Sequence, residues 1–181
     1  AVCFGSLAQR SSQSRGTVRN FLNAMRPETV RVFDVNLRQS FYSAELLRES
    51  MKLANIAKLN HDELPVVANM LGIRSGKETT AAQALCKACE LNLVCVTRGA
   101  HGSLLVSPSK SEQHPGFKVE VADTVGAGDA FTAGLIHEYL RGASFAKIND
   151  TANRMGAWVS TQVGGMPNPA GSLQKILGSF A

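Results

Sequence analysis

Short apolar runs alternate with amphipathic stretches along most of this 181-residue chain, and this alternation is its most restrictive feature. The apolar runs that have the length of buried strands lie at residues 2–5, 29–35, 53–59 and 93–97. Helical periodicity separates them, at residues 14–25, 43–52, 63–71 and 79–90. Strands that alternate with helices favour a parallel sheet covered on both faces. We therefore predict an α/β fold, organised as a single domain over residues 1–181.

The C-terminal half continues the same alternation. We predict further strands over residues 103–107 and 117–121 and an amphipathic helix over residues 128–141. Ser43 and Ser144 stand where helix N-caps are expected, the latter opening a helix that runs to about residue 161. Ser172 is a candidate cap for a last helix.

The net charge of +5 resides in the first third of the chain. Residues 1–60 contain nine basic and four acidic side chains, among them Arg10, Arg15, Arg19 and Arg26. This excess indicates either a surface for anionic ligands or nucleic acid, or a solvated helix face or one packed on another segment. Because no nucleic-acid motif and no basic patch interleaved with aromatic residues accompanies it, we expect no nucleic-acid partner.

The hydropathy pattern indicates neither a membrane-spanning segment nor a secretion signal. The chain has no apolar run of about 18 residues and no signal-peptide pattern at its start, so we expect no membrane association. Cys86 and Cys89 form a C-x-x-C pair without a second pair, which favours small residues on a helix face over a zinc site. Free thiols without a secretion signal favour a cytoplasmic location.

The segment Asp123-Thr-Val-Gly-Ala-Gly-Asp129-Ala-Phe carries the strongest chemical signal. Its small residues lie just before the predicted helix, where free N–H groups and the helix dipole attract anions. A carboxylate at that point can take a proton from a hydroxyl that attacks a bound phosphate. An ordinary glycine-rich turn with Asp129 as helix cap explains the same residues equally well.

Five segments, taken together, resemble one family. Asp123 to Gly134 (DTVGAGDAFTAG) is similar to the C-terminal signature of the ribokinase-like (PfkB) carbohydrate kinases. The other four segments that agree in order are Phe4-Gly-Ser-Leu-Ala8, Asp34-Val-Asn-Leu-Arg38, Lys58-Leu-Asn-His-Asp-Glu63 and Thr97-Arg-Gly-Ala-His-Gly102. The first of these is similar to the fructokinase branch.

The resemblance implies a three-layer α/β/α fold of the ribokinase type and ATP-dependent phosphorylation of a sugar hydroxyl. It covers the C-terminal part of the family pattern, so the N-terminal strands, the sugar-binding segment and the lid of such kinases fall outside the match. The partners that it implies are a small-molecule sugar and ATP. A homodimer is one assembly that it allows for the parent protein.

The resemblance also implies roles for individual residues. Asp129 is the expected catalytic base and contacts the substrate hydroxyl, and Gly126, Ala127 and Gly128 are the expected anion hole. The residues expected at the nucleotide are Asn60, Thr97, Gly99, Gly102 and Asn153. Arg38 is expected at the substrate or the phosphates, with a surface ion pair as the alternative, while Asp34 and Asn36 support the strand end.

Two ion sites follow from the same resemblance. Asn60 and Glu63 are expected to hold Mg²⁺ through its waters, and helix capping by Asn60 with Glu63 in the third helical position is the alternative reading. Asp123 and the Val125 main chain are expected to hold a monovalent cation such as K⁺, unless Asp123 only braces the turn. Lys58 either faces the phosphates or flanks its strand.

Several functions remain open at this stage. Fructose or a similar ketose is the expected substrate. A 2-keto-3-deoxygluconate-type sugar acid and a nucleoside are alternative acceptors, since residues 41–42 are Phe-Tyr where many relatives have Trp. A nucleotide-binding chain without transfer activity, and a basic interaction protein built around Arg10 to Arg26, are alternatives of other classes.

Overall fold

A computed structural model of the chain describes residues 1–73 and 76–168. Six strands form one sheet in sequence order: β1 (Val2–Gly5), β2 (Arg31–Asp34), β3 (Ile56–Asn60), β4 (Leu93–Thr97), β5 (Ser103–Val106) and β6 (Ser111–His114). The pairs β1–β2, β2–β3 and β3–β4 are parallel. The α/β class and the largely parallel sheet are as predicted.

Six α-helices connect or follow these strands. They are α1 (Ser12–Asn23), α2 (Ala44–Leu53), α3 (Glu63–Met70), α4 (Glu78–Ala88), α5 (Ala127–Leu140) and α6 (Phe145–Ser160). Serine side chains cap three of them: Ser11 accepts from the Ser14 N–H, Ser43 from Leu46 and Ser144 from Lys147. The predicted caps Ser43 and Ser144 are thus confirmed, whereas α1 begins two residues earlier than predicted. The candidate cap Ser172 lies outside the described residues.

The chain divides into two compact units. The first comprises Ala1–Thr97 and Leu105–Ser111, and the second comprises Arg98–Leu104 and the described residues from 112 onward. In the first unit, β3 and β4 are buried along almost their whole length, and the rings of Phe4 and Phe33 stack at 5.2 Å. Such continuous apolar strands are typical of a parallel sheet with both faces covered.

In the second unit, α5 and α6 pack closely because glycines let their backbones approach. A Cβ on Gly134 would lie 3.0 Å from the Ala152 Cα, and one on Gly156 would lie 3.2 Å from the Ala127 carbonyl oxygen. A side chain at either position would therefore force the neighbouring backbone to shift by a few tenths of an ångström.

The strand predicted over residues 117–121 is wrong. The strand lies instead at β6, and Phe117 packs outside the sheet, with its ring under the Arg154 guanidinium at 4.7 Å and beside His114 at 5.0 Å. The alternation in Phe-Lys-Val-Glu-Val resembles a strand, but the Phe117 ring packs on Arg154 of α6 and His114 of β6, and residues 117–121 form no strand.

No helix among the described residues is long and apolar enough to cross a membrane. Cys86 lies buried on α4, and Cys89 follows directly at its end, as the helix-face reading of the C-x-x-C pair predicts. The Cys86 thiol contacts the Leu91 carbonyl at 3.1 Å.

Candidate active site

The turn before α5 has a backbone shape that only glycine adopts easily at its centre. Gly126 is the N-cap of α5 and is left-handed, with φ 81°. A Cβ there would lie 2.4 Å from the carbonyl oxygen of Gly165, because the segment around Gly164 and Gly165 crosses directly over the turn. The sequence requirement for glycine at 126 therefore comes from both conformation and close packing.

Three backbone N–H groups at the start of α5 have no acceptor within the described residues: those of Gly126, Gly128 and Asp129. The Ala127 N–H, by contrast, donates to the Thr124 carbonyl at 3.3 Å. The anion hole that these atoms can form thus consists of the Gly126, Gly128 and Asp129 amides, and Ala127 has its N–H engaged in the turn. Unpaired N–H groups at the positive end of a 14-residue helix make a favourable environment for an anion.

The Asp129 carboxylate is exposed in the first turn of α5. It does not cap the helix, since the N-cap is Gly126 and no side chain accepts a capping hydrogen bond there. The reading of Asp129 as a helix cap is therefore wrong. Its carboxylate and the unpaired amides lie on the same helical turn, so one bound group can meet both.

Asp123 braces the turn from its other side. One carboxylate oxygen accepts from the Val125 N–H at 3.0 Å, and the other accepts from the Gly164 N–H at 3.1 Å. These backbone hydrogen bonds lower the pKa of the Asp123 carboxyl. The bracing role is thus present, and each oxygen keeps a further lone pair with which to contact a cation.

In the first unit, Asn60 and Glu63 form a reciprocal cap at the start of α3. The Asn60 amide oxygen accepts from the N–H groups of Asp62 and Glu63, both at 2.9 Å, and a Glu63 oxygen accepts from the Asn60 N–H at 2.8 Å. The hydrogen bonds are those of a capping box, but α3 begins at Glu63 with Asp62 as its N-cap, so Glu63 does not occupy the third helical position of the alternative reading. The Asn60 oxygen has both lone pairs engaged, so it does not fit as a ligand for Mg²⁺ or its waters.

Glu63 also links two loops of the first unit. Its second carboxylate oxygen accepts from the Leu37 N–H at 2.8 Å, in the segment that follows β2. The neighbours Asn36 and Gln39 are left-handed, with φ 40° and 49°, which is uncommon for residues other than glycine. Each Glu63 oxygen accepts one bond and retains a lone pair for a further donor such as water, although only 9% of the residue is exposed. Its contact with Mg²⁺ stays a prediction.

Arg38 extends from this linked loop into solvent. Its side chain is exposed and has no ion pair within the described part of the chain, so the predicted alternative of a surface ion pair is wrong. Lys58, by contrast, is held in an ion pair, with Nζ 2.9 Å from the Asp34 carboxylate and only 11% of its side chain exposed. Asp34 supports the strand end as predicted, and Lys58 is its partner rather than a free cation.

Three residues that were predicted to bind the nucleotide, Thr97, Gly99 and Gly102, lie at the end of β4 and in the loop after it, and their surroundings differ. The Thr97 carbonyl accepts from the His61 N–H at 2.9 Å within the first unit. In the second unit, Gly99 has φ 56° and open space where a Cβ would point, which leaves room for a ligand. Gly102 has φ 79° and a Cβ there would lie 1.9 Å from the His114 carbonyl oxygen, so packing within this unit requires a glycine at that position.

Asn153 lies in a buried polar network that the sequence did not predict. Its amide nitrogen donates to the Ser103 hydroxyl at 2.7 Å and to the Asn149 carbonyl at 2.8 Å, and Ser103 also bonds the Asn149 side chain. The structure thus gives Asn153 a role inside the second unit, and its contact with a nucleotide stays a prediction. The only indication of this network in the sequence is that Asn149 and Asn153 are four residues apart and so lie on one face of a helix.

Comparison with known proteins identifies the family. Residues 6–170 match the pfkB family of carbohydrate kinases. The chain belongs to this family. A pfkB relative, the fructokinase of Escherichia coli, is 31% identical over 179 residues, which cover 89% of this chain and 55% of that protein.

Solved structures of pfkB kinases are similar throughout. Aminoimidazole riboside kinase from Salmonella enterica, complexed with aminoimidazole riboside and an ATP analogue, has TM-score 0.78 and 29% identity over 97% of this chain and 61% of that one. A fructokinase double mutant from Vibrio cholerae O395, bound to fructose, ADP and potassium, has TM-score 0.78 and 30% identity over 97% and 59%. The ribokinase-like three-layer α/β fold predicted from the sequence is confirmed. The chain spans about half the length of the curated pfkB relatives that it matches.

Proposed function

We propose that the chain is the nucleotide-binding and catalytic part of a kinase that transfers a phosphoryl group from ATP to a hydroxyl of fructose or a similar ketose. The observation that carries this proposal is the first turn of α5. There, three unpaired N–H groups, of Gly126, Gly128 and Asp129, accompany a carboxylate that caps nothing.

The proposed reaction uses that turn twice. The Asp129 carboxylate accepts the proton of the attacking hydroxyl, whose oxygen forms a bond to the γ-phosphorus while the bond from that phosphorus to the ADP oxygen breaks. The unpaired amides stabilise the charge on the transferring phosphoryl oxygens, and ADP leaves with its electron pair. Positioning and charge stabilisation of this kind supply most of the catalysis in phosphoryl transfer.

Two ions fit the described residues to different degrees. Glu63 retains acceptor capacity on both oxygens and is the residue that we propose for Mg²⁺, through water, with Asn60 acting as the helix cap beneath it. Mg²⁺ when bound neutralises phosphate charge. Asp123 and the Val125 carbonyl are proposed for a monovalent cation, and potassium is named in the similar Vibrio cholerae fructokinase structure.

The residues that support the proposed acceptor, a ketose, lie in the first unit. Arg38 is an exposed cation on the segment that follows β2 and is proposed to contact the sugar or the phosphates. Ser6, in the segment that resembles fructokinases, donates to the Val35 carbonyl at 2.7 Å and so fixes the strand end from which Arg38 extends. A nucleoside is the second acceptor class, favoured by the likeness to aminoimidazole riboside kinase. Thr97 and Gly99 are proposed to line the nucleotide, with Gly102 and Asn153 supporting that region.

The first experiment is calorimetric titration of the 181-residue chain with Mg-ATP, with and without potassium. Saturable binding supports the nucleotide part of the proposal. A folded sample of this chain and of the longest native polypeptide that contains it, both without binding, would contradict it. Binding without phosphoryl transfer is the expected result if the chain needs further segments for the sugar, since it spans about half of its relatives.

Transfer itself is tested in that longest polypeptide with Asp129→Asn. Loss of a general base reduces turnover by about 10²–10⁴-fold, while Mg-ATP affinity should change little. Glu120→Gln is the matched control, because it removes an exposed carboxylate from the same unit outside the turn. A panel of fructose, 2-keto-3-deoxygluconate and nucleosides then identifies the acceptor. Normal turnover in Asp129→Asn would contradict the mechanism.

A further inference from the structure

One cavity in the first unit is lined by three of the nine basic side chains of residues 1–60. It has a volume of about 530 Å³ and lies between the start of α1 and the segment leading into α2. Arg10, Arg15 and Arg19 line it together with Phe41 and Tyr42. We call it the arginine cavity. Its size is in the range of small-molecule sites, which run from about 300 to 1,000 Å³.

The fold brings together groups that the sequence keeps apart. Phe41 and Tyr42 line the same cavity as the arginines, although 22 or more positions separate the two segments. Phe41 is 41% exposed. A guanidinium beside an open aromatic ring suits a ligand with both an anionic group and a less polar body.

The guanidinium groups retain unused donors. One Arg15 nitrogen bonds Glu49 at 2.7 Å and one Arg19 nitrogen bonds the same carboxylate at 3.3 Å, so two arginines share one acid. Arg10 has one bond, to the Leu7 carbonyl at 3.3 Å. The Arg15 Nε is buried and has no hydrogen-bond partner among the described residues, so the donors open to a ligand are the terminal nitrogens. Since each guanidinium has five N–H donors, the cavity has a surplus of cationic donors over acceptors.

Hydroxyl groups complete the lining. The serines that face the cavity are Ser11, Ser12, Ser40 and Ser43. The one carboxylate in the lining, Glu45, has 74% of its side chain exposed and stands 3.9 Å from Arg15. A surplus of guanidinium donors recognises a phosphomonoester, and short hydroxyls suit a polyol.

We propose that the arginine cavity binds a phosphorylated sugar, at a site separate from the turn before α5. All of its lining residues belong to the first unit. Binding at this site does not depend on the phosphoryl transfer proposed above, because it uses none of the same residues. The phosphate is expected against Arg10 and Arg19, and the sugar against Phe41 and the serines.

The test is calorimetric titration of the full 181-residue chain with fructose 6-phosphate, inorganic phosphate and fructose. The double variant Arg10→Gln/Arg19→Gln leaves the Arg15–Glu49 pair in place and should weaken fructose 6-phosphate binding by at least about tenfold. Arg26→Gln removes an exposed charge from the same unit outside the cavity and should change affinity by less than about twofold. Circular dichroism checks that each variant is folded.

Two further arms keep the proposal testable if the double variant unfolds. Glu45→Gln removes the one acid of the lining and should tighten binding about twofold, whereas Phe41→Ala should weaken it. Fructose alone should not bind. Affinity for inorganic phosphate equal to that for fructose 6-phosphate would overturn the assignment to a sugar phosphate. Equal loss of affinity in Arg26→Gln and in the cavity variants, or no saturable binding to the folded chain, would overturn the site.

Discussion

The backbone N–H of Asn60 donates to the Glu63 carboxylate at 2.8 Å, and the Glu63 N–H donates to the Asn60 amide oxygen at 2.9 Å. This reciprocal pair fixes the start of α3 and, through Glu63, also holds the Leu37 N–H. The two residues that the family resemblance assigns to magnesium therefore also have a structural role at the start of α3.

We expect Asn60→Ala to lower the free energy of unfolding by about 1 kcal/mol, because it removes the acceptor for two N–H groups. Asn60→Asp keeps an acceptor at the same position and should cost less. Urea unfolding monitored by circular dichroism measures both. A loss of Mg-ATP affinity in Asn60→Asp without any loss of stability in Asn60→Ala would contradict the assignment of Asn60 as a cap.

The ion pair between Lys58 and Asp34 is buried, with 11% and 14% of the side chains exposed. Lys58→Met leaves the carboxylate unpaired in the interior and should lower the free energy of unfolding by about 3 kcal/mol. The double variant Asp34→Asn/Lys58→Met should recover part of that loss, because it removes the unpaired charge as well. Lys52→Met, an exposed lysine on α2, is the control and should change stability by less than about 0.5 kcal/mol. If the losses in unfolding free energy caused by the two substitutions simply add in the double variant, the ion pair contributes nothing to stability.

Gly126 and Gly142 provide a matched pair of left-handed glycines. Gly142 has φ 69° and open space around its missing Cβ, so Gly142→Ala should cost only the conformational term, about 1 kcal/mol. Gly126→Ala adds the contact with the Gly165 carbonyl and should cost about 1–3 kcal/mol more. Urea unfolding of both variants decides the comparison. Equal losses would show that the segment around Gly165 moves aside freely.

Two buried thiols give the chain a dependence on alkaline pH. Burial raises the pKa of Cys86 to about 11 and that of Cys95 to about 12, from an ordinary value of 9.0. Above pH 9 the unfolded chain releases these protons while the folded chain keeps them. The stability that the thiols contribute is therefore complete below pH 9 and declines as pH rises toward 11–12.

Thiol labelling at pH 8 checks the same feature directly. Exposed Cys3 should react first with a disulfide reagent, and Cys86 and Cys95 should react only after urea unfolding. Cys86→Ala should make the decline of the unfolding free energy between pH 9 and 11 shallower than in the parent chain. Rapid labelling of Cys95 in the folded chain would contradict its burial.

The sequence predicts best where a local pattern has one structural solution. The apolar run Leu93–Thr97 is a strand with the predicted bounds, because its own composition marks it as buried, and Ser43 caps α2 as predicted, because its acceptor lies three residues from the N–H that it binds. The strand Ser111–His114 escaped prediction because Ser-Glu-Gln-His has no apolar alternation. Its position is set by the sheet rather than by its own composition.

The candidate site also has some features that follow from the local sequence and others that depend on distant contacts. The glycine-rich turn before α5 could be placed from the sequence, since small residues ahead of a helix have few other uses. The crossing of Gly165 over Gly126, 39 positions away in the chain, and the partnership of Asn153 with Ser103 could not. These are contacts between distant segments, and the local sequence around one residue does not indicate its partner.

Asp123 has a topological consequence. Its carboxylate bonds its own turn and, 41 residues later, the segment at Gly164, while the N–H groups of Ala122 and Asp123 donate to the Ser160 carbonyl, so the ends of the α5–α6 hairpin are joined. Closing a loop of that length in a flexible chain carries an entropic cost, which the packing of the two helices offsets. The connection at Gly142 can therefore be opened with the ends of the hairpin still held together. Split or circularly permuted forms of the chain with new termini there should retain the turn before α5 intact.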